Sequence, residues 1–289
     1  MKNSRAMSFI IIFGIYVLAT CIGLLSYITL PFHFAINLLL ADVIATIIVF
    51  IFSVLLNNAS VYDPYWSVQP IVIVLAYALT SKTLEVYHIL PLIAVLLWGV
   101  RLTVNWAYTF KNLYHQDWRY TKLCNTTGKF YPFVNFFGIH MVPTLVVYLC
   151  VLPVAYLFNG EYVENIYTYL FTFVSIFAFV IQGIADIQMH KFRKNRNSTF
   201  IRNGLWKYSR HPNYLGEILM WWGIGLLSVL TMKENYFLIA GAIANTLLFL
   251  FISIPLAENH QKSRKEGFDQ YKKETRMLLP IYKRVKNEK

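Results

Sequence analysis

The run Arg210–Glu217, RHPNYLGE, packs an unusual amount of chemistry into eight residues at the mouth of an apolar segment. Pro212 has no N–H to donate and suits the first turn of a helix. The start of that helix carries partial positive charge and free N–H groups, and Arg210 and His211 lie beside it. Together they suit a phosphate-bearing ligand. Asn213 and Glu217 follow one turn apart, with Tyr214 between them. Upstream, Gln182, Asp186 and His190 recur at i, i+4 and i+8 on one helical face, with Arg193 a further turn along. Glu258 closes the last apolar segment, and Asp42 and Arg101 lie inside two others. Asp42 heads a polar stripe with Thr46, Ser53 and Asn57, and Arg101 shares a face with Asn105 and Tyr108. Ionisable groups inside membrane spans are costly, so each is a functional candidate by default. Two plainer readings stand beside this one. The buried charges could be structural pairs, such as Asp42 with Arg101, and the basic residues after Met189 could hold anionic lipid head groups.

The elements that must position these residues follow from composition. The 289 residues are 57% hydrophobic and only 14% charged, which leaves too little polar surface for a soluble domain. The expected fold is an all-α polytopic membrane protein, a bundle of seven or eight transmembrane helices. The predicted spans are Met7–Leu30, Phe32–Leu56, Trp66–Thr80, Ile89–Phe110, Phe133–Phe158, Asn165–Met189, Tyr214–Leu230 and Tyr236–Ala257. The third is short. If it crosses, the count is eight; if it only dips into the membrane, the count is seven and the N-terminus lies outside.

Charge sets the orientation. Lys191–Arg210 holds seven Lys/Arg and no acid, and the tail after Ala257 holds ten against five acids. The loop Asn159–Asn165 carries Glu161 and Glu164 and no base; Lys82–Tyr87 and Lys233–Glu234 are balanced. The positive-inside rule then places both termini, the loop Asn57–Pro64 and the basic segments in the cytoplasm. With no cleavable leader and a Lys-, Asn- and Ile-rich composition, a bacterial cell membrane is the expected location.

Several classes are set aside. There is no GxGxxG after a strand, no Walker loop, no HExxH pair and no GxSxG elbow. No metal is expected. The three cysteines, Cys21, Cys124 and Cys150, have no metal or redox spacing. Nucleic acid is a poor partner, because topology already explains the basic segments despite a net charge of +12. No obligate protein partner is evident. Gly223 and Gly225 suit close helix contact.

GLWKYSRHPNYLGE (Gly204–Glu217) with WWG (Trp221–Gly223) resembles the C-terminal region of the steroid 5α-reductase family. The likeness is closest to a branch described only as a membrane domain of unknown function. That branch has strings similar to NASVYDPYWSVQP (Asn58–Pro70), RLTVNWAYTF (Arg101–Phe110), QDWRY (Gln116–Tyr120), IADIQMHKFR (Ile184–Arg193) and YKKETRMLLP (Tyr271–Pro280). The resemblance implies a cofactor-binding half at 133–289, which takes NADPH, and an N-terminal, substrate-side half at 1–132. It implies that Asp186 and Arg193 bind the adenosine and phosphate end, joined by Arg210 and His211, with Gln182 on the same helical face. Asn213, Tyr214 and Glu217 would line the nicotinamide end, and Glu258 falls near a closing motif.

The implied reaction reduces an activated carbon–carbon double bond in a lipophilic steroid-, sterol- or isoprenoid-like substrate. A protein acid must then polarise or protonate the carbonyl oxygen. Asp63, Tyr65 and Tyr120 are the candidates, against turn and surface ion-pair roles for the same residues. The shorter RHPxYxG core also resembles isoprenylcysteine methyltransferases, so an S-adenosylmethionine-dependent membrane methyltransferase is the alternative. A transporter, with Asp42, Arg101 and Asp186 along its path, is a third reading.

Overall fold

Long apolar runs become helices, because only a helix satisfies every backbone group inside a bilayer. The computed structural model describes residues 4–160, 162–195, 198–232 and 235–281. Glu161, Arg196, Lys233, Glu234 and the residues after Ile281, which helped set the expected orientation, lie outside them. Among the described residues, seven helical segments are long and apolar enough to cross a membrane, and this is an integral, multi-pass, all-α membrane protein.

The chain divides into two compact units, Met1–Glu161 and Tyr162–Lys289. Unit 1 begins with α1 (Arg5–Thr29), capped by the Ser4 side chain, and α2 (Phe34–Leu55), which packs along it. Helix α3 (Tyr65–Thr80) is the short third segment. Its 16 residues span about 24 Å, less than the roughly 30 Å of a hydrocarbon core. It packs against α4 (Val86–Thr109) and α7 (Val142–Asn159). Helix α5 (Trp118–Thr127), capped by Asp117, leads through the single turn α6 (Tyr131–Phe133) and a π-helical stretch, Val134–Met141, into α7. Unit 1 therefore includes residues on both sides of position 132.

Unit 2 is built around α9 (Pro212–Thr231), packed between α8 (Ile166–Asn195) and α10 (Ala240–Leu248). A second π-helical stretch, Phe249–Ser253, precedes α11 (Ile254–Lys262). Both π stretches lead into a proline, Pro143 or Pro255, whose missing N–H and ring bulk disrupt a regular ladder. The short α12 (Phe268–Glu274) and the tail behind it return to the start of α9. Tyr271 stacks on Phe200 at 4.7 Å, and the Arg210 N–H donates to the Arg276 carbonyl at 2.8 Å.

Helices α8 and α9 meet closely because Gly216 and Gly223 face α8. A methyl group at Gly223 would lie 2.8 Å from the Phe171 carbonyl oxygen, and one at Gly216 equally close to that of Ala178. Gly223→Val is therefore expected to lower stability by about 1–3 kcal/mol, as overpacking does. Thermal unfolding in detergent checks this, with Gly183→Ala as control, since a methyl group there meets nothing within 4 Å. Equal loss in both variants would rule out the close-packing account.

Candidate functional site

In unit 1 the membrane-embedded acid acquires partners that sequence spacing hides. Asp42, midway along α2, is 4% exposed. The Tyr65 hydroxyl donates to its Oδ1 at 2.8 Å, and Gln69 Nε2 donates to its Oδ2 at 2.7 Å. Tyr65 and Gln69 lie one turn apart on α3, so one helical face presents both. The allowed Asp42–Arg101 pair is not formed. Behind Tyr65, a hydroxyl chain crosses the unit: Thr46 to Thr144 at 2.8 Å and Thr144 to Tyr62 at 2.7 Å, with the Tyr62 ring stacked on Tyr65 at 5.2 Å.

Asp42, Tyr65 and Gln69 line a cavity of about 320 Å³. The rest of its wall is mainly apolar, from Ala19 and Leu24 on α1 to Val72 and Ile73 on α3. Gln69 Oε1 is buried there without a hydrogen-bond partner. This arrangement can hold an uncharged lipophilic molecule and present a carboxyl-backed hydroxyl to it.

The other two candidate acids form a separate pair. The Tyr120 hydroxyl donates to Asp63 Oδ1 at 2.6 Å, and neither residue lines the cavity. They sit where two loops are laced together. Asn58 Nδ2 donates to the Leu113 carbonyl at 2.7 Å, and Ser60 Oγ accepts from the Asp117 N–H at 2.8 Å. Gln116 Oε1 accepts from the Ala59 N–H at 2.9 Å.

Burial lifts the Asp63 carboxyl to about 6, against the pull of Arg119 and the Tyr120 hydroxyl. The folded chain thus keeps a proton that the unfolded chain releases near its ordinary pKa of about 3.9. Its contribution is fully present below that value and is lost as pH rises towards 6. Asp63→Asn is expected to remove this part of the pH dependence. Melting temperatures of variant and wild type, compared from pH 4 to 7.5, should diverge in favour of the variant as pH rises; parallel curves would refute it.

Unit 2 holds two polar clusters. In the first, Gln182 Nε2 on α8 donates to Glu217 Oε2 at 2.9 Å, and Trp221 Nε1 donates to Glu217 Oε1 at 3.3 Å. Gln182 Oε1 is left buried without a partner. In the second, Glu258 gathers three cationic or imidazole side chains. Arg210 approaches it at 2.7 Å, Lys272 at 2.9 Å and His211 at 3.2 Å. Arg210 also donates to the backbone carbonyls of Lys272 and Thr275. Burial holds the His211 imidazole below its ordinary range, with Glu258 opposing and Arg210 and Lys272 reinforcing the shift. Its ring stacks on Tyr214 at 5.2 Å, and Tyr214 packs on Phe249.

The expected free N–H groups at the start of α9 are partly used. Those of Arg210 and His211 donate to the tail carbonyls of Arg276 and Met277. Arg210, with Lys262, Lys272, Lys273 and Arg276, instead rims an open depression of about 640 Å³ that also contains Asp269. Asp186 and Asn213 are half-buried, and Arg193 is exposed. Among the described residues, no cluster of three His, Cys, Asp or Glu could hold a metal.

Sequence reading did not single out Gln69, Thr144 or Lys272. The signal for Gln69 was present, as an amide one turn from Tyr65 in an otherwise apolar helix. Thr144 and Lys272 carried none, because ordinary threonines and tail lysines look like them.

Fold and site together define a polytopic α-helical membrane protein with a lipophilic cavity in one unit and a basic, tail-bound cluster in the other. The profile of a family described as "Protein of unknown function (DUF1295)" matches residues 49–275, and the chain belongs to that family. It is similar to an uncharacterized protein of Schizosaccharomyces pombe, 27% identical over 234 residues, covering 70% of this chain and 66% of the relative. It is also similar to a Delta(14)-sterol reductase of Dictyostelium discoideum, 24% identical over 168 residues, covering 52% of this chain and 36% of the relative. The chain thus spans less than two thirds of either relative's length. No solved structure matches it.

Proposed function

We propose that this protein is an NADPH-dependent membrane reductase of an activated carbon–carbon double bond in a lipophilic, uncharged substrate. The observation that carries the reading is the Asp42–Tyr65–Gln69 group on the wall of the apolar cavity. A buried acid facing an apolar cavity is costly in structural terms and useful in chemical ones. The likeness to a sterol reductase supports the same reading.

In this reading unit 1 receives the substrate. With the Asp42 carboxyl protonated, its O–H donates to the Tyr65 oxygen, and the Tyr65 O–H is free to meet the carbonyl oxygen and supply a proton or hydrogen bond where negative charge develops. Asp42 and Gln69 hold that hydroxyl in place, and the hydroxyls of Thr46, Thr144 and Tyr62 brace it from behind. The cavity's apolar walls keep water from the reacting bond. Asp63 and Tyr120 keep the adjoining loops in register.

Unit 2 receives the cofactor. NADPH, when bound, would supply the hydride. The residues present suit it: Lys262, Lys272, Lys273 and Arg276 offer positive charge to phosphates, and Gln182 Oε1 offers an unused buried acceptor. Asp186, Arg193, His211, Asn213, Tyr214 and Glu217 complete the proposed binding set. Arg210 and Glu258 serve it by pinning the tail. The basic segments around it favour the cytoplasmic face of a bacterial cell membrane for this side and for the C-terminal tail.

Paired titrations of detergent-purified protein with NADPH and with S-adenosylmethionine test the proposal. NADPH is expected to bind, and more tightly than NADH. Arg193→Ala should weaken it without disturbing the fold, because Arg193 is exposed. Binding of S-adenosylmethionine alone would transfer the site to methyl transfer, and binding of neither would end the enzyme reading.

A further inference from the structure

The unit 1 cavity is polar at both ends. About 18 Å along α3 from Tyr65, by helical rise over the intervening residues, stands Tyr77. About 16 Å along α1 from Tyr16, whose ring contacts Tyr65, stands Tyr27. The two far-end hydroxyls meet at 3.0 Å, with their rings edge to face at 6.1 Å. Phe158 stacks on Tyr77 at 5.7 Å and backs the pair.

Spread over such a length, about 320 Å³ makes a slot one molecule wide. Leu24 and Ile28 line its wall and are also 43% and 75% exposed, so the slot opens sideways, towards acyl chains. Each end has hydrogen-bonding capacity left over. At the near end it is the Tyr65 hydroxyl, which donates to Asp42 and keeps lone pairs to accept with. At the far end, two hydroxyls carry two O–H donors, and the bond between them uses one.

We propose that the slot selects an elongated, uncharged, apolar ligand with a hydrogen-bonding oxygen at each end, and that Tyr27 and Tyr77 read its length. The inference rests on the reading that this cavity takes the substrate. A ligand too short leaves one end unpaired, and a ligand with one oxygen leaves the tyrosine pair dry. Each omission forfeits about one net hydrogen bond. A phospholipid acyl chain, with no oxygen at its tip, satisfies only one end.

The test uses the full chain in phosphatidylcholine nanodiscs and three probes: dodecane-1,12-diol, dodecan-1-ol and hexane-1,6-diol. Affinity is read by calorimetry and by shift of the melting temperature. The long diol should bind about 5- to 10-fold more tightly than dodecan-1-ol, the equivalent of one net hydrogen bond, and more tightly still than hexane-1,6-diol, which also forfeits the burial of six methylenes. Combined Tyr27→Phe and Tyr77→Phe should bring the long diol to the level of dodecan-1-ol and leave dodecan-1-ol unchanged. Equal binding of the three probes by wild-type protein would overturn the proposal and needs no variant. So would a folded double variant that keeps the preference, or a phospholipid in the slot that no probe displaces. NADPH titrated into the same preparation separates the two readings: diol preference without NADPH binding removes the reductase and leaves the slot.

Discussion

Replacing Glu258 with alanine is expected to cost about 3–5 kcal/mol of stability, the usual penalty for stranding one member of a buried ion pair. The Arg210 side chain is 6% exposed, and Glu258 is its carboxylate partner. Without it, the guanidinium keeps only the carbonyls of Lys272 and Thr275, which cannot neutralise a charge. The loss should spread along the tail, because Arg210 ties α9 to the segment after α12 through both side chain and backbone. Lys272→Met is the comparison. Lys272 is half exposed and solvated, so its ion pair should contribute about 0–1 kcal/mol. Chemical unfolding in detergent, followed by tryptophan fluorescence, measures both. If Glu258→Ala falls within about 1 kcal/mol of wild type, the cluster does not hold unit 2 together.

Tyr65→Phe is expected to lower turnover by about 10²–10⁴-fold, the range for loss of a positioned acid. The ring would keep its stacking on Tyr62 and its edge contact with Tyr16, so the fold should survive. NADPH affinity should not change, because the groups proposed to bind the cofactor are in the other unit. Asp42→Asn keeps the shape and one acceptor, and should cost less than Tyr65→Phe. The assay is NADPH oxidation with whichever enone-bearing lipid the wild-type protein reduces. A Tyr65→Phe enzyme with more than a tenth of wild-type turnover would remove the hydroxyl from the chemistry. Asp63→Asn should leave turnover near wild type, since Asp63 does not line the cavity.

The membrane class and most element boundaries were legible in the residues themselves. Hydropathy is a local property, and a bilayer demands about 20 consecutive apolar residues whatever the rest of the chain does. The short third segment showed the same limit from the other side. Its composition predicts a helix, and α3 is one, but at 16 residues it falls short of a full span by length. The cost of burying charge also marked Asp42, Glu217 and Glu258 in advance, because that cost follows from residue type alone.

Which of those groups meet could not be read from spacing. Asp42 and Tyr65 are 23 positions apart, Arg210 and Glu258 are 48, and Thr46 and Thr144 are 98. Helical periodicity relates neighbours a turn or two away; contacts at these separations depend on how helices cross. Tertiary packing therefore decided that Asp42 takes Tyr65 and Gln69 rather than Arg101, and that Asp63 and Tyr120 form their own pair away from the cavity. It also decided that Arg210 clamps the tail. The sequence alone determined a membrane protein with costly polar groups buried in it; only the crossing of helices and the return of the tail gave those groups their partners.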